Sequence, residues 1–424
     1  MINLTGKTAG RRHFMKLALA GGSTIPLLQL VAAGGAEAAA ADAAGKTGGV
    51  RAVAVPARRT GLILRDFQDP FLELMRLLRE AAEIEHGLMI QYLYAAFSLK
   101  PAYAEITGAG DPNAETLLGV AIQEMQHLGV VNRLIVALGG NPVLSRQDFP
   151  YEPDIYPFPM SLEPLSRRTA AQYAYTEAPG KALESGDAAF ISGINAVVGS
   201  RRPNHVGSLY AAVVQVLEEL LAARPDLLPD PQGWLAELDR VRNEGEHDHF
   251  LFFKSLFEGT HPGFGGRDVW ALQPEHPDYP ALPLAHNPTA WLGHKNQIAD
   301  EKAYGLAWLG NLCYWLTLLT LDLTYRDNSQ EMPGIGVMIM QSALWPLARA
   351  LPEYGYGLPY DPISIQFSGG RTAEASLRFA GSLAGEIALW QARLAEQGAL
   401  PDDFYMDPEI PEQMAEIMKR AKTA

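Results

Sequence analysis

The chain has 424 residues, of which 48% are apolar and 19% charged, and it carries a formal net charge of -14. That length and apolar content suffice for more than one packed unit and exclude a disordered or collagen-like chain. The scattered acidic excess argues against nucleic acid as a partner, and a single cysteine, Cys313, excludes both an intrachain disulfide and a thiolate metal cluster.

Taken in chain order, the first feature is Gly10-Arg11-Arg12-His13-Phe14-Met15-Lys16, followed by a moderately apolar stretch from Leu17 to Ala33 and the small-residue triplet Ala36-Glu37-Ala38. This pattern predicts a signal peptide over residues 1–38. The paired arginines, with Gly21, Gly22 and Pro26 diluting the apolar segment, resemble a twin-arginine signal. Such a signal implies export of the folded chain by the twin-arginine machinery to the periplasm or the exterior, and it suits cargo that acquires a metal or cofactor before crossing. Residues 39–65, rich in Ala and Gly without periodicity, read as a flexible linker.

Apolar residues at helical spacing predict a helix over Phe71 to Phe97, with Leu74, Leu77, Leu78, Ile84 and Leu88 on one face. Asp111-Pro112-Asn113 offers a stop and a cap before a second helix, Ala114 to Leu138, which ends at Gly139-Gly140-Asn141-Pro142. The Pro-rich stretch from Pro142 to Pro164 reads as a long crossover that lets two helical hairpins pack together. A short helix from Arg168 to Tyr175 and a Gly-containing loop through Pro203 come next, then a third long helix, Val206 to Ala223, and a fourth, Trp234 to Phe257.

Beyond a Pro- and Gly-rich connection (residues 261–295) lies the most apolar helix, Asn296 to Tyr325. Asn311, Asp322 and sparse basic flanks favour a soluble hairpin with the next helix, Gly334 to Leu351, over a membrane span. Helices from Arg371 to Gln397 and from Ile410 to Ala421 complete the chain. The expected fold class is therefore all-α: a four-helix bundle over residues 66–260, with a C-terminal helical region, 296–424, packed on it.

Glu85, in Glu83-Ile84-Glu85-His86, shares a face with Leu88, Met89 and Tyr92 and so points into the core. Glu124 with His127, and Glu246 with His249, have the i, i+3 spacing that stacks a carboxylate and an imidazole on one side of a helix. Carboxylates in an apolar bundle are costly unless a cation neutralises them, and an oxygen and nitrogen ligand set suits iron or manganese, with zinc allowed. The order of a Glu helix, a Glu-x-x-His helix and later a second Glu-x-x-His helix strengthens the metal reading beyond either pair alone. Glu83, Glu244 and His247 read as members of the solvated face, His86 as a candidate partner of Glu85, and Tyr92, Tyr94 and Tyr210 as core aromatics.

With these residues in view, the chain resembles the ferritin-like family named for iminophenylpyruvate dimer synthase, the domain of violacein and indolocarbazole pigment pathways. The resemblance rests on Glu85-His86 with Tyr92-Leu93-Tyr94-Ala95, on Glu124 to His127 with Leu138-Gly139-Gly140-Asn141-Pro142, on Val206-Gly207-Ser208-Leu209-Tyr210, and on His249-Phe250-Leu251-Phe252-Phe253. It implies a ferritin-like bundle and a metal-dependent oxidative reaction on a small-molecule substrate, using oxygen or peroxide. Glu124 and Glu246 would bridge two ions, with Glu85, His127 and His249 as terminal ligands. Where the family offers a helix-three Glu just before the Leu-Tyr pair, this chain has Ser208. His205, one turn earlier, is a further candidate, and the choice between one ion and two stays open. A metal-storage protein of the cell envelope and a bundle that has lost catalysis are the alternatives.

Overall fold

The structure is a computed structural model and describes residues 63–146, 158–180, 182, 188–199, 206–327, 331–363 and 372–421. The signal-like N-terminus, nearly all of the linker, and His205 lie outside the described residues.

Helix α1 spans Pro70–Ser98, with Pro70 at its first position and the Asp69 side chain accepting a hydrogen bond from the Leu72 N–H. Helix α2, Leu117–Ala137, begins three residues later than its periodicity predicts. The reason is local: Asn113 accepts from the Glu115 N–H to close a turn, and Thr116 is the residue that caps the helix through the Gly119 N–H. Gly119 is required there, because a β-carbon would meet the Asn113 carbonyl oxygen at 1.9 Å. The two helices pack antiparallel over their length: Glu85 meets His127, and Met75 near the start of α1 packs on Gly140 just past the end of α2.

The third position of the bundle is shared by two helices. The first, α3 (Arg167–Glu177), lies beside the C-terminal half of α1, where Tyr173 packs edge-on against Tyr92 with ring centroids 4.8 Å apart. A short helix, α4 (Ala188–Val198), is inserted next. Helix α5 (Val206–Ala223) then continues beside the N-terminal half of α1: Tyr210 near its start reaches Glu85, and Glu219 near its end pairs with Arg65 at 2.6 Å. In effect the third helix is broken at mid-height.

The fourth position is a single run with a defect. Helix α6 (Pro231–Asn243) passes through a π-helical turn, Glu244–His249, into α7 (Phe250–Glu258). The turn widens the helix at the level where α3 ends and α5 begins, and such turns recur at functional sites. Helix α7 runs antiparallel to α3, with Arg167 at the start of α3 lying over Phe257.

The C-terminal helices pack against the outer side of α1 and α2. Helix α8 (Glu301–Asp327) crosses close to α2, and its Tyr325 lies beside Gly129. By length and composition α8 could cross a membrane, as could two further segments, Val206–Ala223 and Met332–Tyr354, yet 89% of the apolar window of α8 is buried inside this fold. A helix that is apolar all round needs protein on all sides, and α8 obtains it from α2, from α11 (Ala373–Glu396) and from the run α9 (Met332–Ile339), π turn Met340–Leu344 and α10 (Trp345–Ala350). The terminal helix α12, Ile410–Ala421, packs on α11. Among the described residues strand pairing is limited to two isolated bridges, Leu99 with Ala281 and Thr289 with Gln297.

The two polar residues of α8 foreseen as interruptions are used internally. Asn311 donates to the Asp361 carboxylate at 2.7 Å and accepts from the Asp361 N–H at 3.0 Å, while Asp322 pairs with Arg326 at 2.9 Å. Asp361 also accepts from the Thr289 hydroxyl and the Ala290 N–H, so one buried carboxylate ties α8 to the connection before it. Removing it strands two buried donors, on Asn311 and Ala290, each costing about 1–3 kcal/mol, and a half-buried one on Thr289. Asp361→Ala is expected to lose at least about 2 kcal/mol of stability by chemical denaturation, and a loss below about 1 kcal/mol would contradict this role.

Candidate metal centre

Five side chains converge at mid-height of the bundle, and all of them are buried. Glu124 of α2 is central: its Oε2 lies 3.1 Å from His127 Nδ1 and its Oε1 lies 2.9 Å from His249 Nδ1. Glu85 of α1 brings Oε2 to 3.6 Å from His127 Nδ1, and Glu177, the last residue of α3, brings Oε2 to 3.9 Å from His249 Nδ1. Two groups result, Glu85-Glu124-His127 and Glu124-Glu177-His249, each with its ligand atoms within 4.8 Å of one another and with Glu124 common to both.

The surroundings of the two groups match. The Tyr210 hydroxyl donates to Glu85 Oε1 at 2.6 Å, and the Tyr92 hydroxyl donates to Glu177 Oε1 at 2.6 Å, so each carboxylate has one oxygen held and the other turned inward. With Nε2 protonated, His127 donates to Glu244 at 2.8 Å and His249 donates to Gln123 Oε1 at 3.2 Å, leaving both Nδ1 lone pairs free. Glu244 is itself clamped by Arg240 through contacts of 2.8 and 2.9 Å.

These residues fit a metal ion. Glu85 Oε2, Glu124 Oε1 and His249 Nδ1 are buried without a hydrogen-bond partner among the described protein atoms, an arrangement that costs stability unless a cation collects them. Glu124 Oε1 and His249 Nδ1 are close but not aligned for a hydrogen bond. Two ligands each about 2.1 Å from one ion and at right angles to each other stand about 3 Å apart, which is the spacing of this pair. The free space among the carboxylates is about 10 Å³, bordered by Val206, Gly207, Arg242 and Glu246, enough for about one water-sized group beside the ligands.

The sequence-predicted residues fall into place unevenly. Glu85, Glu124, His127 and His249 are brought together. Glu246 lines the same small cavity but belongs to neither group; the π turn carries its carboxylate toward α5, where a β-carbon on Gly207 would meet its Oε1 at 1.9 Å. Glu244, expected on the solvated face, instead holds His127, because the i→i+5 turn moves it to the side from which His249 points inward. Glu83 is also buried, pairing with Arg79 at 2.9 Å and accepting from Ser145. His247 is exposed, as expected. His86 turns away from Glu85 and accepts from the Tyr314 hydroxyl at 2.6 Å; burial lowers it to about 4, so it is neutral. Ser208 is buried at the start of α5, outside both groups.

Glu177 is the member that sequence reasoning missed. The helix-three ligand was sought near Val206, whereas the break in that helix leaves the carboxylate at the end of its first half. A signal was present: Glu177 stands one turn beyond Tyr173 on the apolar side of α3, directly before Ala178-Pro179.

The electrostatics follow from burial. Desolvation and the adjacent Glu124 charge push Glu85 well above the usual carboxylate range, and the same causes raise Glu177 to about 7. For Glu124 burial also acts upward, but His249 and the hydrogen bonds around it outweigh that and hold it well below its ordinary value. Burial opposes protonation of His127 and His249, yet the surrounding carboxylates raise both. Without a cation the cluster therefore retains protons, and a metal must displace them. A Glu raised to about 7 in the folded state binds more protons than it does unfolded, so its contribution to stability falls as pH rises from about 4.5 to about 7. Affinity for Mn(II), titrated against the metal-free protein, is expected to increase at least about tenfold from about pH 6 to about pH 8 with net proton release; a flat profile would contradict the assignment.

Residues 78–231 match the ferritin-like family model. The chain is 29% identical to a 2-imino-3-(indol-3-yl)propanoate dimerase of Chromobacterium violaceum over 44% of its length and 18% of that protein's. It is 28% identical to a dichlorochromopyrrolate synthase of Lentzea aerocolonigenes over 45% of its length and 20% of that protein's, so it spans about a fifth of these curated relatives. A ferritin-like protein from Caulobacter vibrioides superposes with a TM-score of 0.45 at 16% identity, covering 70% of this chain and 99% of its own. The family match falls on the helices that carry Glu85, Glu124, His127 and Glu177, so the part of the chain that bears these residues is ferritin-like.

Proposed function

We propose that the chain is a non-haem metal protein whose bundle holds two ions, iron by preference, and uses them for oxidative chemistry on a small organic substrate with oxygen or peroxide. The observation that carries this reading is the pair of matched buried groups sharing Glu124, with three inward atoms lacking any other partner. Glu85 and His127 would hold one ion, Glu177 and His249 the other, with Glu124 between them. When bound, such ions supply Lewis acidity and redox electrons that no side chain here provides.

The protein's own part is positional. Tyr210 and Tyr92 keep Glu85 and Glu177 oriented, Gln123 and Glu244 set the imidazole tautomers, and the apolar packing of Tyr92 on Phe253 keeps water from the ligands. Free space of about 10 Å³ admits about one water-sized group and excludes an aromatic ring from the cluster itself, so an organic substrate would react from its edge, beside Gly207 and Glu246. The relative named for dimerising an indolyl imino acid supports a small aromatic substrate of that kind.

Metal analysis tests the centre. Wild-type protein produced with iron is expected to contain about two ions per chain, with consumption of oxygen on addition of reductant; Glu124→Gln and His127→Ala are expected to lose at least one ion while staying folded. Folded wild-type protein that stays metal-free under iron, manganese and zinc supplementation would sink the proposal.

Export belongs to the same reading. The residues Arg11, Arg12, Phe14 and Lys16 support a twin-arginine route, in which the centre is loaded before translocation. Replacing Arg11 and Arg12 together with Lys is expected to leave the protein in the cytoplasm on cell fractionation, and unaltered export would rule the route out.

A further inference from the structure

On the reverse side of α1 and α2 from the metal ligands, where the bundle meets the C-terminal helices, lies a second cavity of about 130 Å³. The two helices divide their residues between the two sites. Glu85 and Tyr92 of α1 and Glu124 and His127 of α2 face the carboxylate cluster, whereas Met89, Leu93 and Phe97, and Ala121 and Met125, line the cavity. An apolar protein cavity of about 150 Å³ takes up benzene, so this space accommodates one six-membered ring.

The chemistry of its walls is specific. They are almost wholly carbon and sulfur, with Met89, Met125 and Met340 as adaptable lining. Two polar groups at the wall are already engaged: the Thr317 hydroxyl donates to the Cys313 carbonyl, and the Tyr314 hydroxyl is held by His86. Gln341 is different. Its Nε2 is buried and has no partner among the described atoms, and the residue, which belongs to the π turn Met340–Leu344, is one of those that line the cavity. An unpaired buried amide N–H disfavours the empty state, and a ligand oxygen placed against it removes that cost.

We propose that this cavity is a binding site for a neutral, single-ring apolar molecule carrying one hydrogen-bond-accepting oxygen, which receives the Gln341 amide N–H. The inference does not rest on the metal reading, because none of the ligand residues lines this space. A molecule bound here presses on the backs of the helices that carry Glu85 and Glu124, and it lies against Tyr314, the partner of His86.

The test uses the full chain with its methionine methyl groups labelled for NMR and compares acetophenone with ethylbenzene, which has nearly the same shape but no acceptor. Acetophenone is expected to shift the Met89, Met125 and Met340 signals saturably and to bind at least about tenfold more tightly, relative to each compound's partition into octanol, than ethylbenzene. Gln341→Leu is expected to abolish that advantage while leaving ethylbenzene binding intact, and Ala121→Phe, which fills the space, to abolish both. The absence of saturable shifts at these methionines in the wild-type protein would overturn the proposal. An acetophenone preference unchanged in Gln341→Leu would overturn it equally, and that variant keeps the test decisive if the bulkier one does not fold.

Discussion

Glu124 is enclosed between two imidazoles with 1% of its surface exposed, and the cost of that burial constrains everything near it. A carboxylate removed from water loses several kcal/mol of hydration, and here Glu85 and Glu177 are buried within the same small volume. Two histidines and retained protons offset part of the cost in the metal-free chain. A cation held there, as proposed, would offset it more fully, because it would satisfy several ligands at once and reduce the repulsion among the acids.

The helices are shaped to deliver those charges in register. A straight α-helix in the fourth position would bring Glu246 and His249 to one face; the π turn instead points His249 at Glu124, sets Glu244 against His127 and moves Glu246 toward Gly207. Opposite it, the third helix is interrupted at the same height, so that Glu177 enters from the end of α3 and Tyr210 from the beginning of α5. Both irregularities lie at the level of the ligands, while the regular portions above and below pack as an ordinary bundle.

The C-terminal helices complete the bundle on the side away from the cluster. Helix α8 contributes an apolar surface to the backs of α1 and α2, and its few polar groups are consumed by Asp361, Arg326 and His86. That side of the molecule is therefore rigidly tied yet leaves a ring-sized space lined by methionine and aromatic residues. The protein thus presents two interiors of opposite character across one pair of helices, one acidic and one apolar.

Much of this was legible in the chain by itself. Helical periodicity located α1, α2, α5 and α8 to within a few residues, since amphipathic spacing reflects burial that any packed arrangement must satisfy. The same logic singled out Glu85, Glu124, His127 and His249, because an acid or imidazole on an apolar face demands a reason. What the sequence could not decide were the departures from regular geometry. Whether Glu244 or Glu246 faces His127 depends on one extra residue in a helical turn, and a π turn has no distinctive composition. Glu177 became the helix-three carboxylate because an inserted segment splits that helix, bringing a residue 29 positions before Val206 to the height of the cluster. Local pattern sets which face of a helix is buried; only the packing of helices against one another settles which buried side chains meet.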